Sequence, residues 1–255
     1  YPTIQEAINN AAPGNTIFVR AGTYYESIVV NKTVSLIGEN KNTTTIDGNA
    51  TGSVVIVTAD HVTISGFTIQ RGGALYPDLG DCLILDSNDN AILQNILRNS
   101  AAGIYLPGCH GNIISQNIIT NTNLYGIRVF RSASNKIIEN NIAHAYLFGI
   151  FVVRSSESEL RKNFLVNTSG GIYMGYCSNN NITENVISNS TSGITLEVSS
   201  NNNVKRNNMS DIRSMGLILG PEFGPFEAGT DGNVLVENNV VNNHMGIRTI
   251  LCNNN

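Results

Sequence analysis

The sequence repeats itself every 22 or 23 residues over more than half of its length. Glycine starts each repeat, at Gly103, Gly126, Gly149, Gly171, Gly193, Gly216 and Gly246, with Asp81 in this place one repeat earlier and an interval of 30 before the last glycine. Most of these glycines precede an apolar residue, and a second apolar residue follows two positions later. A repeat this short cannot bury a core alone, so successive repeats must stack as a solenoid.

Three asparagine-rich columns recur at fixed places in the repeat. They are Asn90, Asn112, Asn135, Ser158, Asn180 and Asn202; Asn95, Asn117, Asn140, Asn163, Asn185 and Asn207; and Asn99, Asn121, His144, Asn167, Asn189 and Asp211. Apolar and polar residues alternate between them, which predicts three short strands and three turns per repeat and excludes helical repeats. Stacked in parallel about 4.8 Å apart, the strands form an all-β, single-stranded parallel β-helix.

Asparagine and glycine are the residues expected at the corners of such coils. Asparagine tolerates left-handed backbone, and its amide can bond to the asparagine of the next coil, which predicts an asparagine ladder. Phe67 stands in the place of Asn95 one coil earlier and is expected to be the floor of that ladder. Glycine is expected to turn the corner before each Gly-Ile-x-Leu strand. A further column alternates in charge, which favours the correct register: Glu139, Lys162, Glu184 and Arg206.

The N-terminal stretch follows a different pattern. Thr3 and Glu6 form a capping box, and an apolar helical face follows it up to a Pro-Gly stop. We expect a single domain over 1–255, with a cap helix in 1–14 that covers the edge of the first coil. Irregular first coils are predicted for 15–80 and regular coils for 81–255, with an uncapped C-terminal end.

Composition limits the classes of partner. Only 13% of the residues are charged, and the net charge is −4, whereas a nucleic-acid surface needs a concentrated basic face. No apolar run approaches the roughly 18 residues of a membrane span. The sequence begins at Tyr1 without a recognisable signal peptide and ends in "LCNNN", and we interpret it as a processed or trimmed chain.

Several segments carry a family resemblance. The opening "PTIQEAINNAAPGNTIFVRAGTYYESIVVNKTVSLIGE", then "VTISGFTI", then serial Gly-Ile-x-Leu and Asn-x-Ile-x-x-Asn coils, resemble the NosD-like right-handed parallel β-helix proteins with PbH1 repeats, within the pectate-lyase-like superfamily. The resemblance covers essentially the whole chain and implies a right-handed solenoid. It also implies an exported archaeal or bacterial protein, extracellular or on the cell surface, whose signal and anchor are not in this chain.

The outer face of the Gly-Ile-x-Leu strand is the predicted contact surface, because relatives of this fold bind sugars there. Strand alternation turns Tyr105 outward, in a column that starts at Leu83, beside a second outward column that starts at Leu85. The glycan-contact candidates are Tyr105, Tyr125, Arg128, Phe130, Arg131, Tyr146, Phe148, Phe151, Arg154, Tyr173, Tyr176 and Glu197. Rings can stack on sugars, and guanidinium groups can hold carboxylates or sulfates. The alternative is a covered sheet face or a protein interface.

Catalytic and metal-binding patterns are sparse. No cofactor is expected unless Asp78, Asp81 and Asp86, which cluster near one insertion, bind calcium, as acidic residues do in the lyases of the family. The paired carboxylates of glycoside hydrolysis must lie within about 10 Å of each other, and Glu197 stands nearly alone on the central face. The resemblance to NosD-like proteins implies copper as a possible ligand. The four histidines and four methionines are scattered over different repeat positions, which argues against a copper site.

Two insertions interrupt the repeat. The segments 74–81 and 221–232 flank Gly-Ile-x-Leu strands that are six coils, or roughly 29 Å, apart, so one active site is not expected to contain both.

The cysteines do not predict a disulfide. Cys109 and Cys177 share a column but lie three coils, or about 14 Å, apart, which is too far for a disulfide bond.

Three functions remain open on sequence. The leading hypothesis is a non-catalytic extracellular or cell-surface protein that binds glycans, preferably anionic ones, or self-associates through its outer strand face and open coil end. The first alternative is a polysaccharide lyase or epimerase, which needs acids and bases to converge within one or two coils. The second is a structural surface-layer or appendage subunit.

Overall fold

Strands pair in parallel with the strand one repeat away throughout the chain. In a computed structural model, which describes residues 1–73, 80–220 and 230–250, the chain winds into a β-solenoid of about 9 turns with about 23 residues per coil. Ile114 lies beside Ile137, and Ile137 beside Leu160, as the period predicts. The all-β parallel β-helix is therefore confirmed.

Three parallel sheets run along the solenoid. The first contains Thr16–Val19, Ser35–Gly38, Thr63–Ser65, Ala91–Leu93, Ile113–Ser115, Lys136–Ile138, Glu159–Arg161, Asn181–Thr183, Asn203–Lys205 and Val234–Val236. The second contains Gly22–Tyr25, Thr44–Asp47, Thr68–Gln70, Asn141–Ala145, Phe164–Val166, Val186–Ser188, Asn208–Ser210 and Asn239–Val241. The third contains Ile28–Val30, Val55–Val57, Leu83–Leu85, Phe148–Val153, Gly170–Gly175, Ser192–Glu197, Met215–Leu219 and Met245–Thr249. Two long strands, Ile96–Pro107 and Ile118–Phe130, belong to the second sheet at their start and to the third at their end.

The core is a bundle of apolar stacks. Ile114, Ile137 and Leu160 of the first sheet are at most 1% exposed, and so is Met209 of the second sheet, as predicted for its apolar column. Each such side chain contributes roughly 1.5 to 3 kcal/mol by leaving water. Because every coil adds one residue to each stack, the buried core continues from coil to coil as far as Leu219, and the inner residues Leu235 and Val240 of the last described coil are partly buried.

The predicted cap helix is confirmed as Ile4–Asn10. The Thr3 hydroxyl accepts the backbone N–H of Glu6 at 3.1 Å, and Ile4 is buried against the coil below. The Glu26 carboxylate of the next segment accepts the N–H of Ile4 at 2.8 Å and that of Gln5 at 3.0 Å. These bonds satisfy helix N–H groups that have no partner inside the helix.

Two asparagine ladders run inside the solenoid. The Asn117 side-chain oxygen accepts the backbone N–H of Asn95 at 3.0 Å, and its amide donates to Ile92 carbonyl oxygen at 2.8 Å and to the Asn140 side chain at 3.0 Å. The Phe67 backbone N–H donates to Asn95 at 3.0 Å, and Phe67 is fully buried, so its place at the floor of the ladder is confirmed. Buried corner groups are thereby paired from coil to coil.

The left-handed corners lie one residue away from these two ladders. Asn117 and Asn140 do not have positive φ; Gln116 and Glu139, which precede them, have φ of 58° and 57°. The prediction that ladder asparagines adopt left-handed backbone is therefore wrong for these two columns, which use asparagine for its amide. The residues with left-handed backbone at this corner are those of the charge-alternating column, such as Glu139 and Arg206. The Arg206 guanidinium lies 3.8 Å from a carboxylate oxygen of Glu184 and 3.0 Å from one of Glu237. Each exposed pair adds about 0.2 to 1 kcal/mol.

The repeated glycine has a different role from the one expected. Gly103 and Gly126 do not have positive φ, so they do not turn a left-handed corner. A Cβ atom at Gly103 would overlap Ile119 and lie 2.7 Å from the carbonyl oxygen of Gly126. At Gly126 the obstacle is Ile142. Glycine recurs because the third sheet approaches the second too closely for a side chain at this position.

Ser158 interrupts one ladder and offers a stability test. Its hydroxyl accepts the N–H of Asn135 at 3.2 Å, but it lacks the amide through which Asn180 reaches both Asn202 and a carbonyl group. Ser158→Asn should add side-chain bonds to both neighbours and raise the free energy of unfolding by about 0.5 to 1.5 kcal/mol. Thermal melting measures this, with Asn180→Ser as the opposite change in the same ladder. An unchanged or lower melting temperature for Ser158→Asn would contradict the prediction.

The described cysteines are reduced and inaccessible. Cys82, Cys109 and Cys177 are buried and free, and burial raises the pKa of their thiols to about 12, 11 and 12 respectively. At about pH 8 they remain protonated and unreactive. A thiol-reactive dye should therefore label at most Cys252, which is outside the described residues, in the native protein and all four thiols in denaturant. Rapid labelling of Cys252→Ser under native conditions would count against buried thiols.

Candidate functional site

The outward face of the third sheet gathers most of the predicted site residues. Its central column consists of Ile84, Tyr105, Arg128, Phe151, Tyr173, Thr195, Ile218 and Arg248. The predicted column is therefore correct from Tyr105 onward, but its first member is wrong. Leu83 and Leu85 are fully buried in the core, and Ile84 pairs with Tyr105. The reason is a shorter corner: Ala91 follows Ile84 by 7 positions, whereas its partner Ile113 follows Tyr105 by 8.

Aromatic rings on this face stack on one another. The ring centroids of Phe151 and Tyr173 are 5.1 Å apart with an interplanar angle of 10°, and those of Tyr125 and Phe151 are 4.7 Å apart. Phe148 lies 5.2 Å from Tyr173 and 5.5 Å from Phe151. Such pairs contribute about 0.5 to 1.5 kcal/mol beyond their burial. The faces of Phe151 are therefore occupied by protein rings, and the expected stacking of sugars on them does not fit this arrangement.

Three arginines lie over rings at this face. The guanidinium carbon of Arg128 is 4.6 Å from the ring centroid of Tyr105, that of Arg131 is 5.1 Å from Phe130, and that of Arg154 is 5.9 Å from Tyr176. Within the described ranges none of the three arginines forms a salt bridge. The buried Nε of Arg128 also has no hydrogen-bond partner there. These positive charges are available to an anion from outside.

The corner after the third sheet holds a row of exposed side chains. Arg131, Arg154 and Tyr176 have φ of 51°, 52° and 55° and continue a column that begins at Gly108. Left-handed backbone costs a non-glycine residue roughly 1 to 2 kcal/mol, which the ladders on either side must offset. The row therefore places two guanidinium groups and a phenol beside the sheet on three successive coils.

A buried carboxylate, that of Glu197, lies on the outer face of the third sheet toward its C-terminal coils. Glu197 is 5% exposed, and its Oε2 accepts a hydrogen bond of 3.0 Å from the Tyr173 hydroxyl. Gly175 makes room for this bond, since a Cβ there would lie 2.9 Å from the Tyr173 ring. Thr195 also points outward and yet is fully buried. The open part of the face thus lies toward Arg128.

Acidic residues at the near end do not form a described metal site. The side chain of Asp81 accepts the N–H of Ala102 at 2.9 Å, and burial raises the pKa of this carboxyl to about 6, against the opposing effects of that bond and of Arg128. Asp86 is exposed, and Asp78 lies outside the described residues. In 1–73, 80–220 and 230–250 no three His, Cys, Asp or Glu side chains could hold a metal together.

Carboxylates on this face are far apart. Asp86 and Glu197 are separated by five coils, about 24 Å at one strand spacing per coil. Glycoside hydrolysis needs two carboxyl groups within about 10 Å. The described part of the face does not supply such a pair.

Tyr146 lies apart from the other candidates. It precedes the strand Phe148–Val153, in the turn between the second and third sheets, and its side chain is 72% exposed. It lines a polar groove with Asn167, Ser169 and Arg213, which sequence reasoning did not select. The sequence signal for this groove is the third asparagine column, which predicts corners and also supplies Asn121, His144 and Asn167 to the groove lining.

Fold and face together define a right-handed β-helix with an aromatic and arginine-bearing outer surface. Residues 81–241 match the family model described as right handed beta helix region, and the chain belongs to this family. Among curated proteins none matches the sequence of this chain. No helix in the described residues is long and apolar enough to cross a membrane.

Solved structures share the fold at low sequence identity. The A-module of a mannuronan C-5 epimerase from Azotobacter vinelandii aligns with a TM-score of 0.72 and 14% identity over 98% of this chain and 92% of that chain. A polygalacturonase from Erwinia carotovora gives a TM-score of 0.75 and 14% identity over 99% and 92%. The enzymatically active domain of tailspike protein 2 of bacteriophage CBA120 gives 0.70 and 12% over 95% and 40%.

The carboxyl of Asp81 gives a pH test. Its pKa is about 6 in the folded protein against 3.8 for an ordinary aspartate, so the folded state holds the proton more tightly. The stability that this group contributes is present below about pH 4 and is lost as the pH rises through about 6. The urea midpoint of the unaltered protein should therefore fall relative to that of Asp81→Asn across this window. Asp86→Asn, at an exposed carboxylate, is the control, and parallel profiles for Asp81→Asn would contradict the assignment.

Proposed function

We propose that the protein binds acidic polysaccharides along the outer face of the third sheet. The observation that carries this proposal is the set of three arginines, Arg128, Arg131 and Arg154, which lie over aromatic rings and form no salt bridge within the described residues. The whole chain has a net charge of −4, so this concentration of cations is local. Guanidinium groups bind carboxylates and sulfates through two parallel hydrogen bonds.

The spacing of the arginines suits a polymer. Arg128 and Arg131 belong to one coil and Arg154 to the next, so the cations are distributed along the solenoid axis at about one strand spacing. Each arginine lies over a ring that limits the motion of its side chain, and Arg128 also lies 5.8 Å from Tyr125, a ring of the aromatic stack. A chain with an acidic group on successive sugars would contact these arginines in turn, with Tyr176 at its edge.

The similar structures support a glycan as the ligand. Two of them are enzymes named for uronic acid polymers, the mannuronan epimerase and the polygalacturonase. In this protein the described part of the face presents cations rather than paired carboxylates, which favours binding without hydrolysis. An extracellular or cell-surface location, as in NosD-like proteins, would bring this surface into contact with such polymers.

A lyase or epimerase is the second candidate. The observation that favours it is the hydrogen bond between the Tyr173 hydroxyl and the buried carboxylate of Glu197, two coils from Arg128 on the same face. A phenol held by a carboxylate can exchange a proton with a sugar carbon, while an arginine neutralises the acid group. Unsaturated products, or exchange of the sugar proton with solvent, would reveal this activity.

Association through the last described coil is the third candidate and includes the structural-subunit hypothesis. Ile247 belongs to an inner column and is 61% exposed, and Met245 is 49% exposed. An exposed parallel edge with apolar inner positions can pair with another chain. Concentration-dependent sedimentation that disappears in Ile247→Asp would favour it.

Binding of acidic polysaccharides is tested by removing one corner arginine. Glycine occupies the same column at Gly108, so Arg154→Gly fits the left-handed backbone and should lower affinity for alginate or polygalacturonate about tenfold, or about 1.4 kcal/mol. Arg206→Gly is the matched control, because Arg206 is also an exposed left-handed arginine, with φ of 54°, but belongs to the charge-alternating column. Calorimetry measures both. Equal losses in the two variants would point to diffuse electrostatics and contradict a site on the third sheet.

A further inference from the structure

A polar groove lies at the turn between the second and third sheets, away from the stacked face. It has a volume of about 590 Å³, and its lining includes Asn121, His144, Tyr146, Asn167 and Arg213. No arginine of the third-sheet site lines it. Its ligand would therefore be separate from the acidic groups proposed for that face.

The wall of the groove is a column of left-handed residues. Asn121, His144 and Asn167 have φ of 55°, 56° and 55°, and all three are exposed. They follow one another at about 4.8 Å, the spacing of successive strands. A side-chain amide both donates and accepts hydrogen bonds, as neighbouring hydroxyl groups of a sugar do. The column thus offers matched partners to a chain of hydroxyl groups.

Tyr146 provides an open ring at the middle of the groove. Its backbone N–H donates to the Thr122 carbonyl at 3.0 Å, and its own carbonyl accepts the Ser169 hydroxyl, so its backbone is held from both sides. The side chain is nevertheless 72% exposed. Tyr146 forms none of the ring pairs found among the described residues, in contrast to Phe151. A sugar could stack on this ring, whereas the faces of Phe151 are occupied.

Thr122 lies in the interior beneath the groove. It is 2% exposed, and its hydroxyl oxygen has no hydrogen-bond partner among the described residues. It follows the left-handed Asn121, as the ladder residue Asn117 follows Gln116, and it stacks on Ala145, which is also 2% exposed. The groups that can contact a ligand in this groove are therefore the exposed ones, the ring of Tyr146 and the side chains of the left-handed column.

We infer that this groove is a second carbohydrate site, which takes a neutral sugar unit. Its amides, hydroxyls and single open ring match a polyol, and Arg213 donates a hydrogen bond to the carbonyl oxygen of Asn189 at 3.4 Å. The inference extends the proposed function, because both sites would engage glycans. It does not depend on the third-sheet arginines.

A glycan array that carries both neutral and acidic oligosaccharides tests the groove. The labelled protein should retain a set of neutral glycans, and Tyr146→Ala should bind them at least tenfold more weakly. Tyr25→Ala is the matched control, since Tyr25 is 71% exposed at the other end of the solenoid. Arg154→Gly should lose only acidic glycans, so failure of the third-sheet proposal would be seen separately. Absence of neutral glycan binding, or equal binding by Tyr146→Ala and Tyr25→Ala, overturns the inference.

Thr122→Val examines the buried hydroxyl alone. The substitution keeps the shape of the side chain and removes a group that has no described partner, so the melting temperature should not fall. Affinity for the neutral glycans should also stay unchanged, because the hydroxyl is buried beneath the exposed side chains that contact the ligand. A tenfold loss of affinity in this variant would contradict a site made of the exposed side chains.

Discussion

Hydrogen bonds from each coil to the next hold the structure in a single register. Corners bury polar backbone groups, and the ladders through Asn117 and Asn140 pair these groups with side-chain amides. Because the register is fixed, residues that are 22 or 23 positions apart come to lie side by side. Tyr105, Arg128 and Phe151 meet for this reason alone. The outer face depends on the inner ladders.

On the outer face the aromatic rings pack against one another, and the arginine side chains carry the charge that a ligand would contact. Stacking between Phe151 and Tyr173 uses ring faces that could otherwise contact a ligand, and it turns the rings into a rigid bed. The guanidinium carbon of Arg128 lies 5.8 Å from the ring centroid of Tyr125, which belongs to this stack, whereas Arg154 lies over the separate ring of Tyr176. Neither arginine has an ion pair among the described residues. Rigid support lowers the entropy lost when a charged side chain binds. Ligand contact is thus assigned to cations here and to an open ring, Tyr146, in the groove.

Periodicity alone was enough to predict which residues share a column, as the alignment of Arg128 with Phe151 shows. It could not predict that Leu83 is buried, because the corner after Leu85 is one residue shorter than the corner in the next coil, and a shift of one residue exchanges inside for outside. Nor could it separate asparagine that bonds from the left-handed residue before it, such as Glu139, since both occupy corners. The groove could not be predicted from the repeat, because residues of several coils line it and a small side chain such as that of Ala145 leaves space that only the three-dimensional structure shows.

One corner column carries Gly108, Arg131, Arg154, Tyr176 and Val198 on successive coils, all with positive φ. Four different residue types, glycine among them, occupy one backbone shape, so the core and the ladders place little demand on side-chain chemistry at this position. Evolution, or an engineer, could therefore rewrite this row one coil at a time at a fixed pitch. The scaffold therefore holds positions at a fixed spacing, and the side chains at these positions can be exchanged while the backbone keeps its shape.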